Sequence, residues 1–281
     1  MIILADGSGG IDPAGLTAVE RDIYEQKTNS PTPFHFESAE ALRFELRLRA
    51  NIVKAAIALE RSHAGFATFS KSRANRNYWK RLDNGGFLLH PNVLPADAIR
   101  DIYENGDAYG FECATAIVIV LYKAVLDTIG ETAFNRLFGN LQLYSWEHDS
   151  DMPLVTQDNN HESFAGDVLY YSNPDYDPRT PQWQGENVVK LTGDRLFGHG
   201  IGIEAEDVII RHLNNHRRPG SKVSAYLFDR ITYPDFYAIY RETKAANSGA
   251  PYIRRWPDGW IAGRVGSKTQ VFTGQPPVLN A

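Results

Sequence analysis

Glu104-Asn105-Gly106-Asp107-Ala108-Tyr109-Gly110-Phe111-Glu112-Cys113-Ala114-Thr115-Ala116-Ile117-Val118-Ile119-Val120-Leu121 joins a turn to an apolar run, and it carries the one cysteine of a 281-residue chain. Asn, Gly and Asp before Tyr109 favour a turn. The run after Cys113 predicts a helix that reaches about Thr128 and stops at Gly130, where a C-terminal glycine belongs. Cys113 therefore stands at a helix start, where unpaired backbone N–H groups and the macrodipole favour the thiolate, the nucleophilic form. Free cysteines are also among the most buried residues. The residues alone leave two readings open, an inert core thiol and a nucleophile, and a base placed to serve the sulfur would separate them.

Upstream, residues 1–33 are rich in Gly, Pro, Asp and Thr and read as an irregular arm with one helical turn at Leu16–Gln26. From Ser38 a long helix is predicted. Ser38 can cap it, Glu40 lies in its first turn, and Leu42, Leu46, Val53 and Ile57 form an apolar stripe reaching about Arg61. Short helices are expected at Pro95–Asn105 and Glu131–Gly139. After Leu141 the texture changes to strand-like pieces set off by Gly, Pro, Asn and Asp: Gln142–Trp146, Val168–Tyr171, Asn187–Leu191, Phe197–Ile203 and Val208–Ile210. Helices first and strands later predict an α+β fold with helices packed on a mostly antiparallel sheet. Residues 1–244 read as one catalytic domain, and 245–281, rich in Gly, Pro and Arg, as a loop-rich extension.

A base is offered by the segment Gly185-Glu186-Asn187-Val188-Val189-Lys190-Leu191-Thr192-Gly193-Asp194-Arg195-Leu196-Phe197-Gly198-His199, which reads as a hairpin. With a two-residue Gly193-Asp194 turn, Glu186 lies opposite Ile201 and His199 becomes its diagonal neighbour on the same face. A three-residue turn would shift the register by one and separate them. Together with Cys113, such a pair is the arrangement of an activated thiol, in which the imidazole takes the proton and the carboxylate supports it. On spacing alone a surface cross-strand pair, which is common, is the favoured reading of the two side chains.

The net charge of −5 gives no electrostatic reason to expect nucleic acid or an anionic membrane as a partner. One cysteine excludes a disulfide scaffold and a Cys-rich zinc site, and suits a reducing compartment. Met1-Ile2-Ile3-Leu4-Ala5 meets Asp6 too early for a signal peptide, and no apolar run is long enough to span a membrane. His212 and His216 fall at a metal-ligand spacing without a third ligand nearby, and Glu147-His148-Asp149-Ser150-Asp151 lacks the alternation of a calcium loop. No metal and no cofactor is expected.

Six stretches in consistent order resemble the Bacillus-type spore-coat protein-glutamine γ-glutamyltransferases: Glu45-Leu46-Arg47-Leu48-Arg49-Ala50-Asn51-Ile52-Val53, Phe66-Ala67-Thr68-Phe69, Ala98-Ile99-Arg100-Asp101-Ile102, Phe111-Glu112-Cys113-Ala114-Thr115-Ala116-Ile117-Val118-Ile119, Gly185-Glu186-Asn187-Val188 and His199-Gly200-Ile201-Gly202-Ile203. The similarity runs from about Phe34 to about Tyr240. It implies a papain-like α+β fold of the NlpC/P60 type, calcium independence, and a thiol reached from both ends of a tunnel. It also implies Cys113 as nucleophile, Glu186 and His199 as its partners, Glu112 in a lesser role, and Phe66, Trp146, Tyr170 and Trp183 as tunnel aromatics. The implied reaction is acyl transfer through a cysteine thioester, from a protein glutamine to a lysine amine, giving an isopeptide cross-link. Its partners would be proteins supplying glutamine and lysine, spore-coat proteins among them, acted on by a monomer made in the cytoplasm and carried to the spore surface. Two alternatives stay beside this: a papain-like cysteine hydrolase, and a catalytically silent coat or scaffold protein.

Overall fold

The computed structural model describes residues 1–7, 9–145, 151–158 and 162–247, with three strands between residues 253 and 273. The arm is more ordered than its composition predicts. β1 (Ile2–Leu4) pairs in parallel with β2 (Phe34–Phe36), and α1 (Ala18–Asn29) lies between them in sequence. Thr17 and Glu20 start α1 with a reciprocal capping box, so the expected single turn becomes a 12-residue helix. α2 (Ala39–Arg61) begins where predicted, with the Ser38 hydroxyl accepting from the Ala41 N–H. A buried ion network stitches the arm inward: Lys27 of α1 meets Glu45 at 3.1 Å, Glu45 meets Arg49 at 2.8 Å, and Arg49 reaches Asp167 at 2.7 Å.

β3 (Gly65–Phe66), β4 (Trp79–Arg81), β5 (Phe87–Leu89), α3 (Pro95–Glu104) and β6 (Gly110–Phe111) lead to α4 (Cys113–Ile129). β3 and β6 pair in parallel, which sets Phe66 beside Phe111, two residues before the thiol. Asp101 ties the approach to α4 by accepting from Asn75 at 2.9 Å and Asn105 at 2.7 Å, and from the Tyr109 hydroxyl. α4 is buried almost all round, and Gly130 ends it at φ 81°, a backbone angle that glycine takes without strain. α5 (Glu131–Leu137) and β7 (Gln142–Leu143) follow.

The main sheet contains β8 (Leu154–Gln157), β9 (Val168–Ser172), β10 (Gly185–Lys190), β11 (Arg195–Gly198), β12 (Gly202–Ala205) and β13 (Tyr226–Pro234). Its order is β12-β11-β10-β9-β13-β8, and every pair is antiparallel. One face, with Val168, Val189 and Phe197, packs on α2 and α4. The other, with Leu169, Tyr171, Val188 and Leu196, is covered by Ile209 and Leu213 of α6 (Glu206–Asn214). α7 (Phe236–Asn247) returns against α2. The fold is α+β.

Three expectations are corrected. Val208–Ile210 is helical, because a short β-branched run has no periodicity of its own and Glu206 and Asp207 begin a helix there. Phe197–Ile203 is not one strand but β11 and β12, separated by a tight turn with Gly200 at φ 100° and Gly202 at φ 105°. The extension read as loop-rich carries β14 (Ile253–Arg255), β15 (Trp260–Val265) and β16 (Lys268–Thr273), an antiparallel sheet, and α7 runs on to Asn247. No helix among the described residues is long and apolar enough to cross a membrane.

Candidate active site

Cys113 is the first residue of α4 and is 4% exposed. Glu112 is the cap of that helix. Its Oε2 accepts from the Ala114 N–H at 3.1 Å and from the Cys113 thiol at 3.3 Å. A carboxylate at a helix N-terminus is held there by the dipole, so one oxygen both closes the helix and stands ready for the thiol proton. From the facing sheet, the Asn187 carboxamide donates to Sγ at 3.5 Å. These groups line a cavity of about 470 Å³ with Tyr170, Phe69, Phe228 and Arg230.

Glu186, the neighbour of Asn187 on β10, is fully buried, and among the described residues neither of its carboxyl oxygens has a hydrogen-bond partner. Burial, reinforced by the charge of Glu112, pushes its carboxyl well above the usual carboxylate range. Burial and the nearby Glu186 and Glu112 also push the Cys113 thiol up, opposed by hydrogen bonds from Asn187. The resting site therefore holds thiol rather than thiolate. A Cβ on Gly198 would come 3.2 Å from Glu186 Oε1, so the glycine leaves the room this carboxyl occupies.

The hairpin register departs from the two-residue turn. Val188 lies opposite Gly198, where that turn would have put His199. The Leu191 N–H reaches the Arg195 carbonyl at 2.8 Å across a three-residue loop, Thr192-Gly193-Asp194, with Gly193 at φ 63° and Asp194 at φ 55°. A one-residue shift exchanges faces, so Glu186 and His199 are not diagonal neighbours. His199 is buried beyond the end of β11 with Nε2 3.3 Å from the Gly65 carbonyl, and its ring stacks on Phe111 with centroids 4.7 Å apart. Burial drops its imidazole to about 4, leaving it neutral. Among the described residues it makes no hydrogen bond to Cys113 or Glu186.

The aromatics divide. Tyr170 lines the cavity. Phe66 stacks on Trp183 at 5.7 Å and lies 6.2 Å from His199, forming a separate aromatic group. Trp183 also packs on His216 at 4.4 Å and His212 at 4.7 Å, so this histidine pair serves as ring packing. Trp146 and residues 147–150 lie outside the described residues. Among the described residues no group of three or more His, Cys, Asp or Glu could hold a metal ion. Sequence reasoning missed Asn187 as a partner of the sulfur. The pleat was the available signal, since Asn187 and Val189 share the strand face that looks toward α4.

A buried thiol at a helix start, with carboxyl groups about it and a cavity in front, has the makings of a thiol-dependent acyl-transfer site. Residues 1–243 match the family model for protein-glutamine γ-glutamyltransferase, and the chain belongs to that family. Similar proteins include the protein-glutamine γ-glutamyltransferases of Bacillus mycoides (strain KBAB4), 45% identical over 91% of this chain and 92% of that one, and of Bacillus subtilis (strain 168), 44% identical over 78% and 89%. Among solved structures, a transglutaminase from Geobacillus stearothermophilus without its C-terminal extension superposes with a TM-score of 0.70 at 50% identity, covering 72% of this chain and 96% of that one.

Proposed function

We propose that this protein is a calcium-independent protein-glutamine γ-glutamyltransferase that cross-links proteins through a thioester on Cys113. The observation that carries the reading is the contact between the Cys113 thiol and Glu112 at the cavity wall, 3.3 Å long. Glu112 takes the thiol proton as sulfur attacks the γ-carboxamide of a protein glutamine. Glu112 then passes that proton to the amide nitrogen, which leaves as ammonia. A lysine amine then loses a proton to the same carboxylate and takes the acyl group from sulfur, forming the isopeptide bond.

His199 is best read as a positioning residue. A neutral ring stacked on Phe111 and bonded to Gly65 braces the two parallel strands that deliver Cys113. Tyr170 and Phe228 keep apolar surface at the cavity, which limits water that would hydrolyse the thioester. Phe66 and Trp183 build a second aromatic wall on the His199 side. A helix-borne thiol packed on an antiparallel sheet supports a papain-like core of the NlpC/P60 type, in which the catalytic domain runs from the N-terminal arm through the end of α7 at Asn247. Spore-coat proteins are the substrates the family resemblance favours.

The test is incorporation of a fluorescent primary amine into a glutamine-rich protein with a chelator present, comparing wild type with Cys113→Ala. Label from wild type alone, undiminished by chelator, is the expected result. Release of ammonia without label would turn the reading to a hydrolase, and label from both proteins would remove Cys113 from the chemistry.

A further inference from the structure

The tetrahedral intermediate of acyl transfer needs donors for its oxyanion. The N–H groups at the start of α4 are the natural candidates, yet the Ala114 N–H is already engaged by Glu112 at 3.1 Å. The strand opposite supplies another donor. The β10–β11 ladder ends at the pair Val188 and Gly198, and β10 continues past it through Asn187 to Gly185. Asn187 thus lies beyond the ladder's end, on the sheet face that looks at the helix start. Its carboxamide nitrogen is 3.5 Å from Sγ, and it lines the same cavity as Cys113. The sulfur therefore sits in a directional chain, receiving from Asn187 on one side and donating to Glu112 at 3.3 Å on the other. That polarity suits a proton leaving toward Glu112 while negative charge gathers on the Asn187 side.

We propose that Asn187 is a catalytic residue, the donor that stabilises the Cys113 thiolate and then the oxyanion of the tetrahedral intermediate. The proposal rests on the thioester reading above. As the C–S bond forms, the carbonyl π pair moves onto oxygen, next to the Asn187 donors. As the π bond re-forms, the C–N bond breaks and the nitrogen leaves as ammonia, carrying the proton that began on the thiol. The net change is thiol plus carboxamide to thioester plus ammonia, and no other reactant is needed. A hydrogen bond that strengthens as charge moves from sulfur to oxygen favours the transition state over the bound substrate.

The chain has a single thiol, so alkylation reports on Cys113 alone. Asn187→Ala removes the side-chain donors, and Asn187→Asp keeps the volume while setting a carboxylate against the sulfur. Iodoacetamide alkylation at pH 8 is expected to slow about tenfold in Asn187→Ala and further in Asn187→Asp, because the thiolate is the reacting species. The kcat for amine incorporation is expected to fall by about 10²–10³, the usual loss of one oxyanion donor, with KM for the amine unchanged. A packing role alone would shift the melting temperature and leave the alkylation rate of the folded protein where it was. The same samples are examined by mass spectrometry for an acyl-enzyme heavier by the glutamine donor less one ammonia. Wild-type adduct, with variants that form it and alkylate within twofold of wild type, would overturn the Asn187 assignment alone. Absence of adduct in wild type under turnover would overturn the thioester reading and Asn187 with it.

Discussion

Replacing His199 with Gln should free the protein from an acid sensitivity that wild type carries. The folded imidazole protonates only at about 4, whereas the unfolded one does so near 6.5, because the buried ring is costly to charge between Phe111 and Gly65. Between those values the unfolded state binds more protons, so stability is fullest above pH 6.5, falls as pH drops, and levels off near pH 4. The difference of the two values corresponds to about 3 kcal/mol in all, at about 1.4 kcal/mol per pH unit. Urea unfolding of wild type and His199→Gln at pH 7, 6, 5 and 4 reads this directly. The absolute cost of the substitution cancels when only the change with pH is compared, and so do titrations elsewhere. The curves should converge by about that amount on acidification. An NMR titration of the ring resonance that the variant lacks gives the same value independently. Parallel curves, or a ring titrating near 6.5, would refute the neutral positioning role and restore His199 as a charged partner of the thiol.

Asp167→Asn should cost about 3–5 kcal/mol in denaturant unfolding, because it leaves the Arg49 guanidinium partly unpaired in a buried setting, while activity per folded molecule stays within twofold. Gly198→Ala drives a methyl group to 3.2 Å from Glu186 Oε1, so amine incorporation should drop by about 10², with the melting temperature little changed. Glu112→Gln keeps an acceptor for the Ala114 N–H but no base for the thiol, and its kcat should fall by about 10²–10⁴. Glu112→Ala should lose about 1 kcal/mol of stability besides, measured by thermal unfolding.

Helices that carry their own punctuation were legible. Ser38 caps α2, and Gly130 closes the run begun at Cys113, as the residues indicate. Elements defined by their neighbours were not. Tyr226–Pro234 contains Asp229, Arg230 and a terminal proline and lacks clean alternation, yet it is a central strand because β8 and β9 flank it. Thr192-Gly193-Asp194 reads equally as a two- or three-residue loop, and that one residue decides which face Glu186 presents. In the site, Cys113 was readable from helix-start chemistry, and Glu186 and His199 were brought together by a two-residue hairpin turn that the three-residue loop replaces. Glu112 rested on family likeness, and Asn187 was hidden inside the Gly185-Glu186-Asn187-Val188 motif.

The unionised thiol has a consequence for chemical durability. Peroxide and disulfide reagents attack thiolate, so a buried cysteine kept as thiol is oxidised slowly. The chain has no second cysteine with which to rescue a sulfenic acid as an internal disulfide. Protection therefore comes from the same burial and neighbouring carboxyl groups that raise the thiol. On the thioester mechanism proposed above, the resting protein stores its nucleophile in a passive form, and a glutamine entering the cavity supplies the occasion for it to ionise.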